Sequence, residues 1–469
     1  MRTVARRAFL GTLAGAAFGG ELARASQGAG QEAGAAVELP RPNAAQLAWQ
    51  NFEVGVLYSV DIPVFATGGF RETRSTFDPQ IYNPRKLSTD QWLETARALG
   101  ARYAVFTATH HGGFLQWQSD LYPYGLKQTR WRKGKGDLVS DFIDSCHRHR
   151  VKPGLFMSCF ANSWWKVSNY RVNWGQGGTG QRAYNRMFER MVEELCSRYG
   201  ALAEIWFDAG LLSPREGGPD VLPIVEKYQS DTVFYHSPRR AQHRWIGNEN
   251  GIAGVPCWAT MPCPSDVEQG YRDGSKALLA TGDPNGKWWS PGMADVPIRN
   301  HDWFWKEGHE NRISPLPLLV ERYYASVGRN CNYILGATPD PDGLIPDADL
   351  RRFGELGAEI RRRFSKPLAE TRGHGTTLEL ALRRPAHISQ LVLMEDIAWG
   401  ERIRRYVIER LAPGNTWEKV CEGTSVGHKR IERFPPLEAA RVRLRCTESR
   451  ATPRLAQFAV YGPDSISFS

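Results

Sequence analysis

From about residue 46 onward, short apolar runs alternate with amphipathic ones. Arg102–Ala108 (RYAVFTA), Lys152–Ser158 (KPGLFMS), Ala203–Phe207 (AEIWF), Thr232–His236 (TVFYH) and Asn332–Gly336 (NYILG) each predict a buried strand. Between them the period changes. Ser88–Leu99 opens on a serine cap and places Trp92, Ala96 and Leu99 on one helical face. Asp137–His149 turns Leu138, Phe142 and Ile143 inward and sets Asp137 at the positive helix end. Ala183–Tyr199 predicts a longer helix. Strand, helix, strand at this spacing means parallel strands joined by crossover helices. The reactive residues fall just after strands, at His110-His111, at Asp208 and beyond His236. A closed barrel gathers all such ends on one face. No glycine-rich phosphate fingerprint follows the first strands, which argues against a dinucleotide fold. The expectation is an α/β chain with a (β/α) barrel of TIM type over residues 46–365.

Near residue 366 the helical period disappears. Thr377–Leu382, Gln390–Met394, Arg441–Arg445 and Leu455–Tyr461 read as strands, and 366–469 is expected to be an antiparallel β-sandwich. No internal repeat is visible. Residues 26–45, rich in Ala, Gly and Gln, read as a linker. In residues 1–25, Arg6-Arg7 directly precedes an apolar run ending near Gly20, and Ala23-Arg24-Ala25 offers a small-residue cleavage site. This is a twin-arginine-type signal, and the expected location is periplasmic or extracellular. That run is too short to span a bilayer, and no other reaches about 18 apolar residues, so no transmembrane segment is expected.

Composition changes this picture little. The 469 residues are 41% hydrophobic and 23% charged, as in ordinary globular proteins. The formal charge of +10 is partly carried by Arg2, Arg6, Arg7 and Arg24. The remaining cations are scattered, in clusters such as Arg361–Arg363 and Arg402–Arg405, without interleaved aromatics, so nucleic-acid binding is not expected. The eight cysteines contain no Cys-x-x-Cys and read mostly as buried small hydrophobes, with Cys257 and Cys263 the pair to inspect. Sixteen Trp and 16 Tyr suit the apolar faces of sugar rings, but aromatics also fill cores.

Asp208 ends an apolar strand and is followed by Ala209-Gly210, which marks it as a catalytic candidate at a barrel mouth. A loop or cap carboxylate fits the same position. Glu249 lies in a Gly/Asn-rich loop after Arg244-Trp245. Glycoside hydrolysis needs two such carboxylates, one attacking carbon or activating water and one protonating the leaving oxygen. The side chains of adjacent His110 and His111 are expected to diverge and to donate to two hydroxyls of one sugar. No His-Glu-x-x-His occurs and the other histidines are dispersed, so no metal is expected.

Taken in order, these segments resemble glycoside hydrolase family 29, the α-L-fucosidases. The family's KHHDGF-x-x-W-x-S segment is matched by Thr109 through Ser119, its GKGD-[LV]-V by Gly134 through Val139, and its WFDG by Trp206 through Gly210. Its RW-x-GNE-x-G corresponds to Arg244 through Gly251, its GDP-x-G-x-W-x-P to Gly282 through Pro291 and its D-x-x-IR to Asp295 through Arg299. Tyr323 or Tyr324 through Asn330 and Pro339 through Ile345 complete a series spanning about residues 46–363. The GNE and GDP segments are most similar to the subfamily that prefers α-1,3/1,4-linked fucose.

The resemblance implies a retaining, cofactor-free exo-glycosidase acting on a fucosylated oligosaccharide or glycoconjugate. It implies Asp208 as nucleophile and Glu249 as acid/base, with His110, His111, Trp206 and Arg244 lining the sugar pocket. It also implies a C-terminal β-sandwich, which its modest aromatic content suggests braces the barrel. Several positions depart from the family pattern. Val56-Leu57-Tyr58-Ser59-Val60 replaces F-I-H-[FW]-G, so Tyr58 is expected where the family has a pocket histidine. The EWG that usually follows is not visible, and Thr109, Gly112 and Met293 replace a Lys, an Asp and a Glu. A changed L-sugar, a non-catalytic sugar-binding descendant, and more remotely an unrelated metal-dependent barrel hydrolase are the alternative readings.

Overall fold

The computed structural model describes residues 38–66, 75–235, 242–264 and 276–463. The expected export signal and most of the expected linker lie outside the described residues. The helix α1 (Ala44–Gln50) begins inside the expected linker, because Asn43 accepts from the backbone of Gln46 while the Gln46 side chain accepts from that of Asn43.

Eight strands form one parallel sheet: β1 (Val54–Tyr58), β2 (Tyr103–Thr107), β3 (Lys152–Ser158), β4 (Glu204–Asp208), β5 (Val233–Tyr235), β6 (Arg244–Trp245), β7 (Gly292–Pro297) and β8 (Cys331–Ala337). Their spatial order is β5-β4-β3-β2-β1-β8-β7-β6. The two edges approach each other where the Gln242 N–H donates to Phe234 O at 3.0 Å, which curls the sheet into a barrel. Its strands are buried on both faces, so they read as continuous apolar runs. Alternate residues nevertheless enter different cores. Leu57, Val105, Phe156, Trp206, Val233, Met293 and Ile334 pack inside the barrel. Val56, Tyr58, Phe106, Met157, Phe207 and Val296 pack in the layer that also holds the helices.

The inner core is closed at the strands' N-terminal ends by α1. Trp49 stacks on His243 with ring centroids 4.6 Å apart, and its Nε1 donates to Glu204 Oε2 at 2.9 Å. Outside run α2 (Thr89–Leu99) and α3 (Leu138–His149), capped by Ser88 and Asp137 as their sequences require. They are followed by α4 (Thr179–Arg198), α5 (Leu222–Tyr228), α6 (Lys276–Thr281), α7 (Leu316–Ser326) and α8 (Asp347–Phe364). Among the described residues, no helix is long and apolar enough to cross a membrane.

After α8 comes a six-stranded antiparallel sheet: β9 (Ala369–His374), β10 (Thr377–Glu395), β11 (Ile403–Ala412), β12 (Thr416–Gly423), β13 (Arg430–Ser449) and β14 (Arg454–Tyr461), in the order β9-β14-β10-β13-β11-β12. The 19-residue β10 and 20-residue β13 run through both halves, and their register shifts between Ala381 and Gln390. Bulges of this kind bend a strand. Leu391, Leu393 and Phe458 from one half share a core with Ile408, Val442 and Leu444 from the other, giving the sandwich its filling. The sandwich also grips the barrel. Tyr324 Oη donates to Gln390 Oε1 at 2.7 Å, and Glu401 accepts from the Ala259 N–H and from Asn330 Nδ2.

None of the eight cysteines forms a disulfide. The Sγ atom of Cys257 lies 3.4 Å from that of Cys331 rather than beside Cys263. The loop after β6 folds Cys257 against strand β8, whereas Cys263 is carried toward the surface.

Helix α8 can approach α2 because position 357 lacks a side chain. A Cβ there would lie 2.1 Å from Ala98 O. Gly357→Ala is therefore expected to lower stability by about 1–3 kcal/mol, read as a lower Tm, with kinetic constants of the surviving fold unchanged.

Candidate active site

The C-terminal strand ends open into a cavity of about 330 Å³, at the small end of ligand pockets. It is lined by residues from five barrel strands and the loops that follow β1, β2, β6 and β7. Four of the expected site residues line its wall together: His110, His111, Trp206 and Asp208, joined by Glu249 from a separate loop.

Asp208 is the last residue of β4. The chain then turns sharply, with Ala209 and Gly210 both at positive φ (54° and 81°). Tyr170 Oη holds the strained Ala209 by donating to its carbonyl. His111 Nε2 lies 3.0 Å from Asp208 Oδ2. A carboxylate so held is oriented while keeping a second oxygen available. His110 and His111 do not diverge as expected. Their rings stack with centroids 4.1 Å apart and 24° between planes, because the chain leaves β2 in an irregular turn rather than an extended strand. His110 packs edge-on against Phe304 at 4.8 Å. Burial, and then the neighbouring His111, push its pKa well below the ordinary histidine range, so it stands neutral. A nitrogen from each imidazole and an Asp208 oxygen all lie within 4.8 Å of one another, a set that could hold a cation. A cation there would compete with a substrate for the same Asp208 carboxylate.

Glu249 comes from the loop after β6, and its Oε2 accepts from Trp303 Nε1 at 3.0 Å. The Trp303 ring has room because position 336 is glycine; a Cβ there would lie 2.8 Å from the ring. The loop carrying Trp303 folds around a buried carboxylate. Asp302 receives Lys306 at 2.9 Å, His309 at 2.8 Å and Arg312 at 3.3 Å. Asp208 and Glu249 thus reach one cavity by different means, one on a strand and one on a loop.

Two expected pocket residues lie elsewhere. Tyr58 is fully buried on the helix-facing side of β1, where its Oη donates to Trp92 O at 2.6 Å and sits 2.8 Å from Thr95 Oγ1. The pleat gives the cavity Leu57 and Ser59 instead. Arg244 is also fully buried and does not line the cavity. Its guanidinium donates to Leu279 O at 2.8 Å, Trp258 O at 2.8 Å and Ser290 O, and reaches Cys257 Sγ. It pins the loop that bears Glu249 rather than a ligand.

With this geometry in place, the chain can be set beside known proteins. Residues 65–362 match the α-L-fucosidase family model. The chain belongs to the α-L-fucosidase family. It is 44% identical to a structurally solved Bacteroides thetaiotaomicron protein assigned as an α-L-fucosidase, with a TM-score of 0.88 over 91% of this chain and 100% of that one. It is 27% identical to α-L-fucosidase 1 of Arabidopsis thaliana, over 90% of this chain and 88% of that protein. A Ruminococcus gnavus family 29 fucosidase, solved with fucose, shares the fold at 20% identity and a TM-score of 0.77, over 91% of this chain and 95% of that one.

The family positions that differ here have a structural logic. A Cβ on Gly112 would lie 3.5 Å from Oδ2 of buried Asp61. An aspartate at 112, as in the family motif, would crowd two carboxyls in one desolvated spot. Asp61, in the loop after β1, is itself raised by burial to about 7 despite the Ile62 N–H and nearby His111. Met293 belongs to the inner barrel core, one pleat below the cavity, where an ionised glutamate would be costly. Sequence reasoning missed Phe156, His301, Trp303, Phe304, Lys306 and Asp295 as lining residues. Asp295 was visible as the first residue of the D-x-x-IR segment, and the run HDWFWK was a visible aromatic cluster.

Because Tyr58 faces the helices, Tyr58→Phe is expected to leave KM and kcat within about twofold while lowering stability by about 1 kcal/mol, the net value of one hydrogen bond. Steady-state kinetics beside thermal unfolding reads both. A large rise in KM with an intact fold would return Tyr58 to the pocket.

Proposed function

We propose that this chain hydrolyses terminal α-L-fucosyl linkages of glycans, or those of a closely related L-sugar, with retention of configuration. Family membership makes it a glycoside hydrolase, and the reading of its mechanism rests on Asp208 and Glu249 lining one small cavity. Asp208 attacks the anomeric carbon as Glu249 protonates the departing glycosidic oxygen, leaving a glycosyl-Asp208 ester. Glu249, now a carboxylate, takes a proton from water, whose oxygen displaces Asp208 and releases the sugar. His111 orients Asp208, Trp303 orients Glu249, and His110 and Trp206 give the sugar a polar and an apolar wall. The GNE and GDP segments favour α-1,3/1,4-linked fucose on an oligosaccharide or glycoconjugate.

The replacements Thr109, Gly112 and Met293 support a second reading, in which the site binds the sugar with weakened or no turnover. Release of p-nitrophenol from the α-L-fucoside separates the two. Asp208→Ala is expected to reduce turnover by about a thousandfold or more with the fold intact, since it removes the attacking oxygen. Glu249→Ala is expected to hurt natural glycans more than the activated aryl glycoside, whose leaving group needs no proton. Wild-type protein that binds fucosylated glycans without cleaving them would establish the binding reading.

We also propose that the chain is exported in folded form to the periplasm or beyond, on the strength of Arg6-Arg7 and the apolar run after them. Replacing both arginines by lysine is expected to retain the full-length chain in the cytoplasm on cell fractionation; unchanged export would remove the twin-arginine assignment.

A further inference from the structure

Besides Asp208 and Glu249, a third carboxyl group lines the cavity. Asp295 sits near the end of β7, on the same side of the strand as Met293 and one pleat higher. That places it at the cavity floor, above the apolar core of the barrel. The three acids are held unequally. Asp208 has an imidazole at 3.0 Å and a side chain 25% exposed. Glu249 is exposed and accepts from Trp303. Asp295 is 4% exposed, and its Oδ1 accepts a neutral hydrogen bond from Trp245 Nε1 at 2.7 Å. The other charged or titratable groups lining the cavity are His110, His111, His301 and Lys306. Lys306 is held by Asp302 at 2.9 Å, and His111 by Asp208.

Three carboxylates around one small, partly desolvated space cannot all be ionised cheaply. The proton belongs on the acid that is least hydrated and lacks a cationic partner. We infer that Asp295 is a substrate-binding residue that works as the neutral acid, donating its O–H from the cavity floor to a hydroxyl of the bound sugar. Burial, then the charges of Glu249 and Asp208, hold its ionisation well above the ordinary carboxyl range, against the hydrogen bond from Trp245. A neutral Asp295 serves the reaction twice. It gives a donor where a carboxylate could only accept. It also adds no third negative charge beside an Asp208 that must attack and a Glu249 that must carry a proton. This inference rests on the glycosidase reading for its ligand, but its protonation state can be measured without turnover.

The sign of the pH effect follows. Below its raised pKa Asp295 is protonated and competent; as pH rises through that value the donor is lost and repulsion sets in, so sugar binding and kcat/KM fall. Asparagine keeps an acceptor for Trp245 and an N–H donor for the sugar, and it does not ionise. Asp295→Asn is therefore expected to keep kcat/KM at neutral pH within about tenfold of wild type and to extend activity further into alkali. Asp295→Ala is expected to lose about 100-fold or more. Infrared difference spectra of the wild type against Asp295→Asn, recorded without substrate, should show a protonated-carboxyl band at neutral pH that Asp295→Asn lacks. Absence of that band, an alkaline limb unmoved in a folded Asp295→Asn, or equal losses in Asn and Ala variants that both fold would each overturn the assignment. A wild type with the infrared band but no glycosidase activity would defeat the catalytic reading while leaving the neutral acid intact. In that case pH-dependent binding of L-fucose, flattened in Asp295→Asn, would support its contact with sugar, and an unchanged binding profile would overturn it.

Discussion

A guanidinium taken fully out of water must find its compensation inside the protein, and at Arg244 that compensation organises the second half of the barrel. The side chain springs from β6, which pairs with β7 through Arg244 and Trp245, and spends its donors on carbonyls from separate pieces of chain: Trp258 in the following loop, Leu279 in α6 and Ser290 just before β7. Each is a buried backbone acceptor, so charge and backbone solve each other's problem. The consequence for chemistry is indirect but strong. Glu249 sits between Arg244 and Trp258, and its loop cannot wander while both ends are tied to one buried cation. Glu401, from the connection between β10 and β11, completes the clamp by accepting from the Ala259 N–H.

The two carboxylates of the site are thereby held by different kinds of order. Asp208 inherits its position from the strand ladder, since Ser158 and Asp208 are register partners of β3 and β4. Glu249 inherits its position from side-chain anchors: the Arg244 clamp below, and Trp303 beside it, which itself depends on the bare backbone of Gly336 and on the loop wrapped around Asp302. Strand-borne groups are positioned more rigidly than loop-borne ones. A nucleophile needs an approach fixed to fractions of an ångström, whereas a proton donor tolerates more variation, so this division suits the roles proposed for Asp208 and Glu249. It also gives the C-terminal sheet a role in the site without requiring that it touch sugar.

How much of this could be read from the sequence differs from residue to residue. The apolar runs at Arg102–Ala108 and Lys152–Ser158 appear as strands, and the caps at Ser88 and Asp137 appear at helix starts, because propensity, period and cap chemistry agreed. Asp208 was legible because an acid ending an apolar strand is a strong local signal. Tyr58 was misplaced for a definite reason. VGVLY is apolar at every position, so the alternation that would tell inward from outward residues is absent, and motif alignment places a residue along a strand without fixing which face it takes. Arg244 failed differently: an arginine just before an acid-bearing loop reads the same whether it grips a ligand or the loop's own carbonyls. The adjacent histidines stack because the turn after β2 is irregular, which residue spacing does not report.

The departures from the family pattern form a consistent set once the polar groups are traced. The site gives up a carboxyl at Gly112 and another at Met293, but it does not become apolar. Asp61 occupies the space beside Gly112, under His111, and Asp295 stands one pleat above Met293. Both are buried acids, Asp61 from the loop after β1 and Asp295 from β7, and burial holds both high. Burial decides what such acids offer, because a desolvated carboxyl tends to be a neutral donor while a solvated one is an anionic acceptor. A pocket so built favours a sugar that presents acceptor oxygens toward the floor and punishes one that lacks them, since a buried O–H left without a partner costs about 1–3 kcal/mol. With Asp295 as the neutral donor inferred above, specificity follows the protonation state of one buried acid as well as the shape of the wall.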